Sequence, residues 1–576
     1  MGIDYMFPSG PPLHFSFYMD PRTRMTIPVH EQVPGTDVSA KVYSNRDKVF
    51  AERSMYWAGR TEGHNCHGLK EPAKTWYLAE GSVGMTSGFD TWVLVQNPGD
   101  EPTNVKATFQ TGQGKIEGPQ FTMSPHSRST IHVNDHFTGW TDVSTMVTAD
   151  KPVLAERAMY WNSPTGNPRD AKGGHASLGV PAGNTQWFMA EGCTEYGFDT
   201  YVLIQNPNEK ESTVDVTYMT PSGAKKQGLT VPGNSRETIH LNDQEQIPPG
   251  DVSTMVEASP PVVAERAMYW DRPDYELPPG VLGSGHSSEG APFAAWTWYL
   301  AEGSTRGFET WVLIQNPWDQ PANIDITYMT PTGATPGPSE ELPPKSRETY
   351  NVADTEAVHD VWDVSTMVTA EKPVVAERAV YWGNRRGGTS SVGMAEDEYR
   401  NTETGTDVWV ILPEGEVTFE EVSSHGTTVI VEGSEHRPDG PPLGYLQVCE
   451  GTYYHLATTA EHRGNIDVEL NYFGLPDGVP TEYIRLLFYN EDKGTWSDIT
   501  TGVDPERKVV KGTTGSTGIF CVAVPVTAEV HPETLNLKSQ GRWITTYIGL
   551  PEGYDAGGID VETVQLRYGE HVLDAQ

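Results

Sequence analysis

Apolar and polar residues alternate with a period of two over short stretches, and the stretches end at Gly, Pro, Asn or Asp. The clearest is Ala322–Met329 (ANIDITYM), where Ile324, Ile326 and Tyr328 fall on one face and Asp325 and Thr327 on the other. That alternation predicts a half-buried strand. Thr310–Gln315 (TWVLIQ) is aromatic and β-branched and stops at Asn316-Pro317, a turn signal. Trp298–Glu302 predicts a short strand ending at Gly303, and Arg347–Val352, Val364–Thr369 and Val374–Trp382 predict three more. No stretch carries a long pattern of helical period, and Ala353–Val358 has room for one helical turn at most. About six or seven strands in ~110 residues, with regular turns, predict an all-β fold of sandwiches of immunoglobulin or fibronectin type.

The same pattern recurs. WYLAEG, WFMAEG and WYLAEG begin at Trp76, Trp187 and Trp298, 111 residues apart both times (187−76 and 298−187). Each runs on through GF(D/E)T(W/Y)VL(V/I)QNP, SR.T and DVSTMV to AER.(M/V)YW. A period of that length suits whole domains in tandem. Gly, Pro and Ser crowd Asn162–Gly183 and Asp271–Ala295, which reads as linkers between beads on a string. The expected divisions are a shortened first copy (1–68), three complete copies (75–180, 185–290 and 296–395), a different all-β module (405–525) and part of a further one (526–576).

In the shortened copy Tyr5–Gly10 matches Tyr218–Gly223, Arg24 matches Arg236, Ala51-Glu52-Arg53 matches Ala264-Glu265-Arg266, and Trp57 matches Trp270. The WYLAEG and QNP segments have no counterpart there. Half a β-domain exposes core faces and strand edges, so the expectation is a chain that starts within a domain. Residues 1–30 show no charged segment followed by an apolar one of signal-peptide type.

The 576 residues include 78 acidic and 40 basic ones, a net charge of −38. That balance argues against nucleic acid as a partner. No apolar run reaches the length of a membrane span. The sequence names no cofactor, although Asp-rich turns leave calcium open without any EF-hand loop. Of four cysteines, none forms a CxxC pair; Cys449 and Cys521 share one module and are either a disulfide or two buried thiols.

The charged residues of each copy sit among apolar ones and need partners. Structural ion pairs between Arg157, Arg266 and Arg378 of AER and Glu80, Glu191 and Glu302 of AEG are expected to fix strand register inside each bead. Asp142, Asp251 and Asp363 are further candidates. The other reading of these arginines is a platform for an acidic sugar or peptide carboxylate. Trp161, Trp270 and Trp382 close the copies and serve either as core plugs or as ligand-stacking aromatics. His64, His175 and His286 also recur in Gly/Ser-rich stretches expected to be loops, while Thr389 takes that place in the last copy. His64-Asn65-Cys66-His67 is a weak metal signal. No HExxH, GxSxG, Walker or GxGxxG motif occurs, and His455, Glu461 and His462 have no recognisable catalytic arrangement.

From Val417 to Pro525 the chain carries VTF..V...G.T, G.YY.L.TTA, IRL..Y and W.DITT.VD segments. These resemble a module of large secreted bacterial and archaeal proteins, and LNLKSQG…IDVETVQL resembles the start of another extracellular module. The AEG…QNP…AER.MYW copies are similar to uncharacterised tandem repeats of bacterial surface proteins. The resemblance implies a secreted or surface-attached protein and brings no site residues. The expected function is therefore non-enzymatic: a cell-surface stalk, envelope component or adhesin whose partner is an envelope polymer, glycan or protein. The alternative is a carbohydrate- or polymer-binding accessory region of a larger secreted hydrolase.

Overall fold

A computed structural model describes residues 1–44, 49–84, 88–163, 171–271 and 283–396, most of 400–531, and the strands Thr545–Gly549, Gln565–Tyr568 and His571–Asp574. The chain is all-β with a few short helical turns, and it divides into two compact units. One is Met1–Asp397 with Ser424–Thr427; the other is Glu398–Ser423 with Thr428–Gln576. No helix among the described residues is long and apolar enough to cross a membrane.

Each complete copy is organised by one eighteen-residue strand: Ser144–Trp161, Ser253–Trp270 and Ser365–Trp382. In the first complete copy its amino-terminal half pairs with Ala73–Leu78 and Thr103–Thr111, and the latter pairs in turn with Gly114–Met123. Its carboxyl-terminal half pairs with Phe89–Asn97 and Gly173–Leu178, and Ser127–His132 extends that sheet. Val93, Val95, Val105, Phe109, Val147 and Trp76 fill the core.

Two strands were expected where this single one runs, Val364–Thr369 and Val374–Trp382, on either side of Pro373. The proline falls where the strand leaves one sheet for the other, beside a shift in register, and there a missing N–H breaks no ladder. In the third copy Ile324, Ile326 and Tyr328 are buried, following the alternation of Ala322–Thr330.

The supposed linkers contain strands. Gly173–Leu178 and Ser284–Glu289 pair with the carboxyl-terminal half of the long strand and are buried along their whole length, as is Gly387–Val392. Their small residues let backbones and aromatic rings come close. A Cβ on Gly388 would lie 2.6 Å from the Tyr381 ring and 2.9 Å from that of Trp270 in the preceding copy. The histidines therefore lie on buried strands, not in loops. On one such strand His64 and His67 fall on opposite faces, which removes the metal signal at that site. Among the described residues no group of three or more His, Cys, Asp or Glu could hold a metal ion.

Consequently the first unit is not a string of separate beads. Apolar clusters run from one copy into the next; Phe188, Ala190 and Trp270 share a core with Trp298, Val312 and Tyr381. The small-residue strands Glu62–His67, Gly173–Leu178, Ser284–Glu289 and Gly387–Val392 contact one another in a closed cycle, one from each copy.

In the second unit a sheet containing Gly415–Ser424, Glu461–Asn471 and Val509–Thr514 and another containing Tyr453–Thr458, Arg485–Asn490 and Gly518–Pro525 share one core. Val417, Phe419, Val468, Tyr454, Phe520 and Val522 meet in it. His455 and the Glu461-His462 pair fall in different sheets. Cys521 is buried, whereas Cys449, and with it the disulfide expectation, lies outside the described residues. After Val526 the described part consists of two short antiparallel pairs.

Candidate functional site

The recurring polar residues converge where one copy meets the next. Arg157 lies 2.7 Å from Glu80 of its own copy and donates at 2.6 Å to Glu265 of the next. The other oxygen of Glu265 accepts from the Ala79 amide at 2.6 Å. Arg266 pairs in the same way with Glu191 and, at 3.1 Å, with Glu377, which accepts from the Ala190 amide at 2.7 Å. Arg378 donates at 2.8 Å to Glu52 of the shortened copy, and the Ala301 amide donates to Glu52 at 2.8 Å. Arg53 reaches Glu156 at 2.6 Å and closes the cycle.

Hydrogen bonds thread these pairs into a circuit. Arg157 donates to the Ser287 hydroxyl (2.9 Å), Ser287 to His175 Nδ1 (3.0 Å), His175 Nε2 to the Tyr269 hydroxyl (3.1 Å), and Tyr269 to Glu80 (2.8 Å). The next junction repeats it through Arg266, Ser390, His286, Tyr381 and Glu191. Burial, with Arg266 and His175 nearby, holds the His286 pKa well below its ordinary value, which matches a neutral ring that donates at one nitrogen and accepts at the other. Where Thr389 replaces the histidine, Asn65 replaces the serine and the two side chains bond directly. Ala176 occupies the serine position opposite His64, whose Nδ1 is buried with no hydrogen-bond partner in the structure.

At Arg157 and at Arg266 two carboxylates face one guanidinium, so one of them is hard to ionise. Burial raises the Glu377 pKa to about 7, with Arg266 opposing and Glu191 adding to the rise. Glu265 and Glu191 are also raised, chiefly by burial.

The expected partners thus meet for Arg157 with Glu80 and Arg266 with Glu191. Arg378 differs: it binds the Glu302 carbonyl, while the Glu302 carboxylate lies 3.0 Å from Arg24 of the shortened copy. Sequence reasoning placed these pairs within one bead and missed Glu52, Glu265 and Glu377 as partners across junctions. A signal existed: Val262–Trp270 offers no polar face to solvent, which marks a strand covered on both sides.

Trp161, Trp270 and Trp382 are not open to a stacking ligand. All three are buried, and their indole N–H groups donate to backbone carbonyls of the following copy, at Gly283, Arg385 and Thr61. On the complete copies the exposed aromatics are others: Trp140 (61%), Tyr196 (78%) and Trp362 (58%), one on each. Trp140 and Trp362 lie in irregular segments beside the DVST motif and Tyr196 in the turn after AEG, and Arg306 stacks over Trp362 at 5.5 Å.

No family model matches the chain, and no curated protein matches it. Among solved structures, Thermotoga maritima 1070 is 15% identical over 19% of this chain and 94% of its own, with a TM-score of 0.17. The Anabaena sensory rhodopsin transducer is 20% identical over 16% of this chain and 99% of its own, with a TM-score of 0.14.

Proposed function

We propose that this is a non-enzymatic structural protein of the cell exterior, an envelope component, stalk or adhesin. In this reading the copies form a self-closed head, and immunoglobulin- or fibronectin-type kinship accounts for their paired antiparallel sheets. One observation carries it: the charged and aromatic residues that recur in every copy are engaged in joining copies to one another. Buried ion pairs serve register and specificity in some proteins, and such a role needs no substrate. The resemblance of residues 417–525 to modules of secreted proteins supports the location. Surface labelling of intact source cells with an antibody to the protein tests it. Labelling before lysis is expected, and labelling only after lysis would sink the proposal.

A second reading, binding of an envelope polymer or glycan, is favoured by Trp140, Tyr196 and Trp362, which present rings to solvent once per complete copy. If it holds, replacing all three with alanine abolishes retention on purified cell-wall polysaccharide and leaves the melting temperature unchanged.

A further inference from the structure

In the second unit, the sheet containing Gly415–Ser424, Glu461–Asn471 and Val509–Thr514 turns one face to the core and carries a small patch of exposed apolar side chains on the other. We propose that this patch, built around Trp409, binds a neutral polysaccharide, one sugar ring of which stacks on the indole. The site lies outside the repeated copies, and it rests on neither reading given above.

Gly405–Leu412 is the edge strand of this sheet, and among the described residues it pairs with Gly415–Ser424 alone. Val410 and Leu412 point into the core. The alternation therefore leaves Trp409 and Ile411 on the outer face, 59% and 52% exposed. Trp409 stands opposite Thr418, and Ile411 opposite Glu416. Further along the sheet Glu469 stands opposite Lys511, and Asn471 opposite Val509. Ile411, Glu416, Glu469, Asn471, Arg507 and Val509 line a recess of about 180 Å³. That is below the range of drug-sized ligands and of the order of one sugar ring.

The polar groups beside the ring are held in place before any ligand arrives. Arg507 donates to Glu416 at 2.6 Å and to Glu469 at 3.0 Å, and Lys511 donates to Glu469 at 2.5 Å. Trp409 Nε1 donates to Glu416 at 3.3 Å, which ties the rim of the indole to the same network. Groups fixed in this way on neighbouring strands offer donors and acceptors at set positions. A pyranose has C–H groups on its face and hydroxyls around its rim. It can meet the electron-rich face of the indole and the charged groups beside it at once.

The charges favour a neutral ligand. Two cations, Arg507 and Lys511, are matched by two carboxylates, Glu416 and Glu469. The net charge of −38 on the chain would repel an anionic polymer. A protein partner fits less well. Stable interfaces bury about 1,200 Å² or more, and two exposed apolar side chains ringed by charges make a small core for one.

The test uses the full chain in affinity gels containing laminarin, galactomannan or glycol chitin, followed by titration calorimetry with a polysaccharide that retards it. Retardation by at least one of the three is expected. Trp409→Ala should weaken that binding at least tenfold with an unchanged melting temperature, and Trp409→Phe, which keeps a ring, should restore part of it. Glu416→Gln should weaken it several-fold, because the indole and Arg507 lose their common partner. Replacing Trp140, Tyr196 and Trp362 together should leave it unchanged, which separates this site from the rings on the copies. No retardation by any of the three polysaccharides overturns the proposal, as does binding that Trp409→Ala leaves intact. Stronger retardation by polygalacturonate overturns the choice of a neutral ligand. A dimer of the chain that Trp409→Ala dissociates, with no polysaccharide bound, assigns the face to a second copy and also overturns it.

Discussion

Arg53, Arg157, Arg266 and Arg378 occupy one position of the repeat, yet their surroundings give them different weights. Arg266→Met leaves Glu191 and Glu377 buried beside an apolar side chain, and should cost about 3–5 kcal/mol in denaturant titrations. Arg53→Met acts on a half-exposed pair and should cost less than about 1 kcal/mol. Equal losses would refute the distinction. Glu377 adds a pH dependence. Its folded pKa of about 7 lies above the 4.5 of a free glutamate, so the folded state keeps a proton that the unfolded chain releases. Its contribution is present below the unfolded value and is lost as pH rises through the folded one. Glu377→Gln should flatten the fall in melting temperature between about pH 5 and pH 7.5. An unchanged slope would assign that fall to other groups.

Among the elements, the small-residue strands separate what pattern can and cannot reveal. The strands with regular alternation, such as Ala322–Thr330, were legible because one face is buried and the other is wet. Gly173–Leu178, Ser284–Glu289 and Gly387–Val392 read as loops because Gly and Ser are poor strand formers in isolation. In the fold those residues give the space that aromatic rings of two copies occupy. Gly388→Ala should therefore destabilise by about 1–3 kcal/mol in thermal melts. Gly112→Ala, whose Cβ would meet nothing within 4 Å, is the control and should be near neutral.

For the whole molecule, closure predicts cooperativity. Independent beads would unfold in separate steps, whereas copies joined by buried knots lose their partners together. Scanning calorimetry of the chain should show residues 1–397 unfolding in one transition, with calorimetric and van't Hoff enthalpies in agreement. Three or four resolved transitions in that unit would restore the bead picture.

The sequence alone determined that the chain is all-β, that its copies recur every 111 residues, and that the AER and AEG charges need buried partners, because alternation, turn residues and periodicity are local properties. Only the tertiary structure decided which copy supplies each partner. A buried glutamate looks the same in sequence whether its arginine lies on the next strand or in the next copy, and Glu265 and Glu80 are told apart only by the way the copies pack. Burial of Trp161, Trp270 and Trp382 was settled at that level too, since the carbonyls they bind belong to neighbouring copies. A surface that one copy would leave exposed becomes an interior only when the cycle closes.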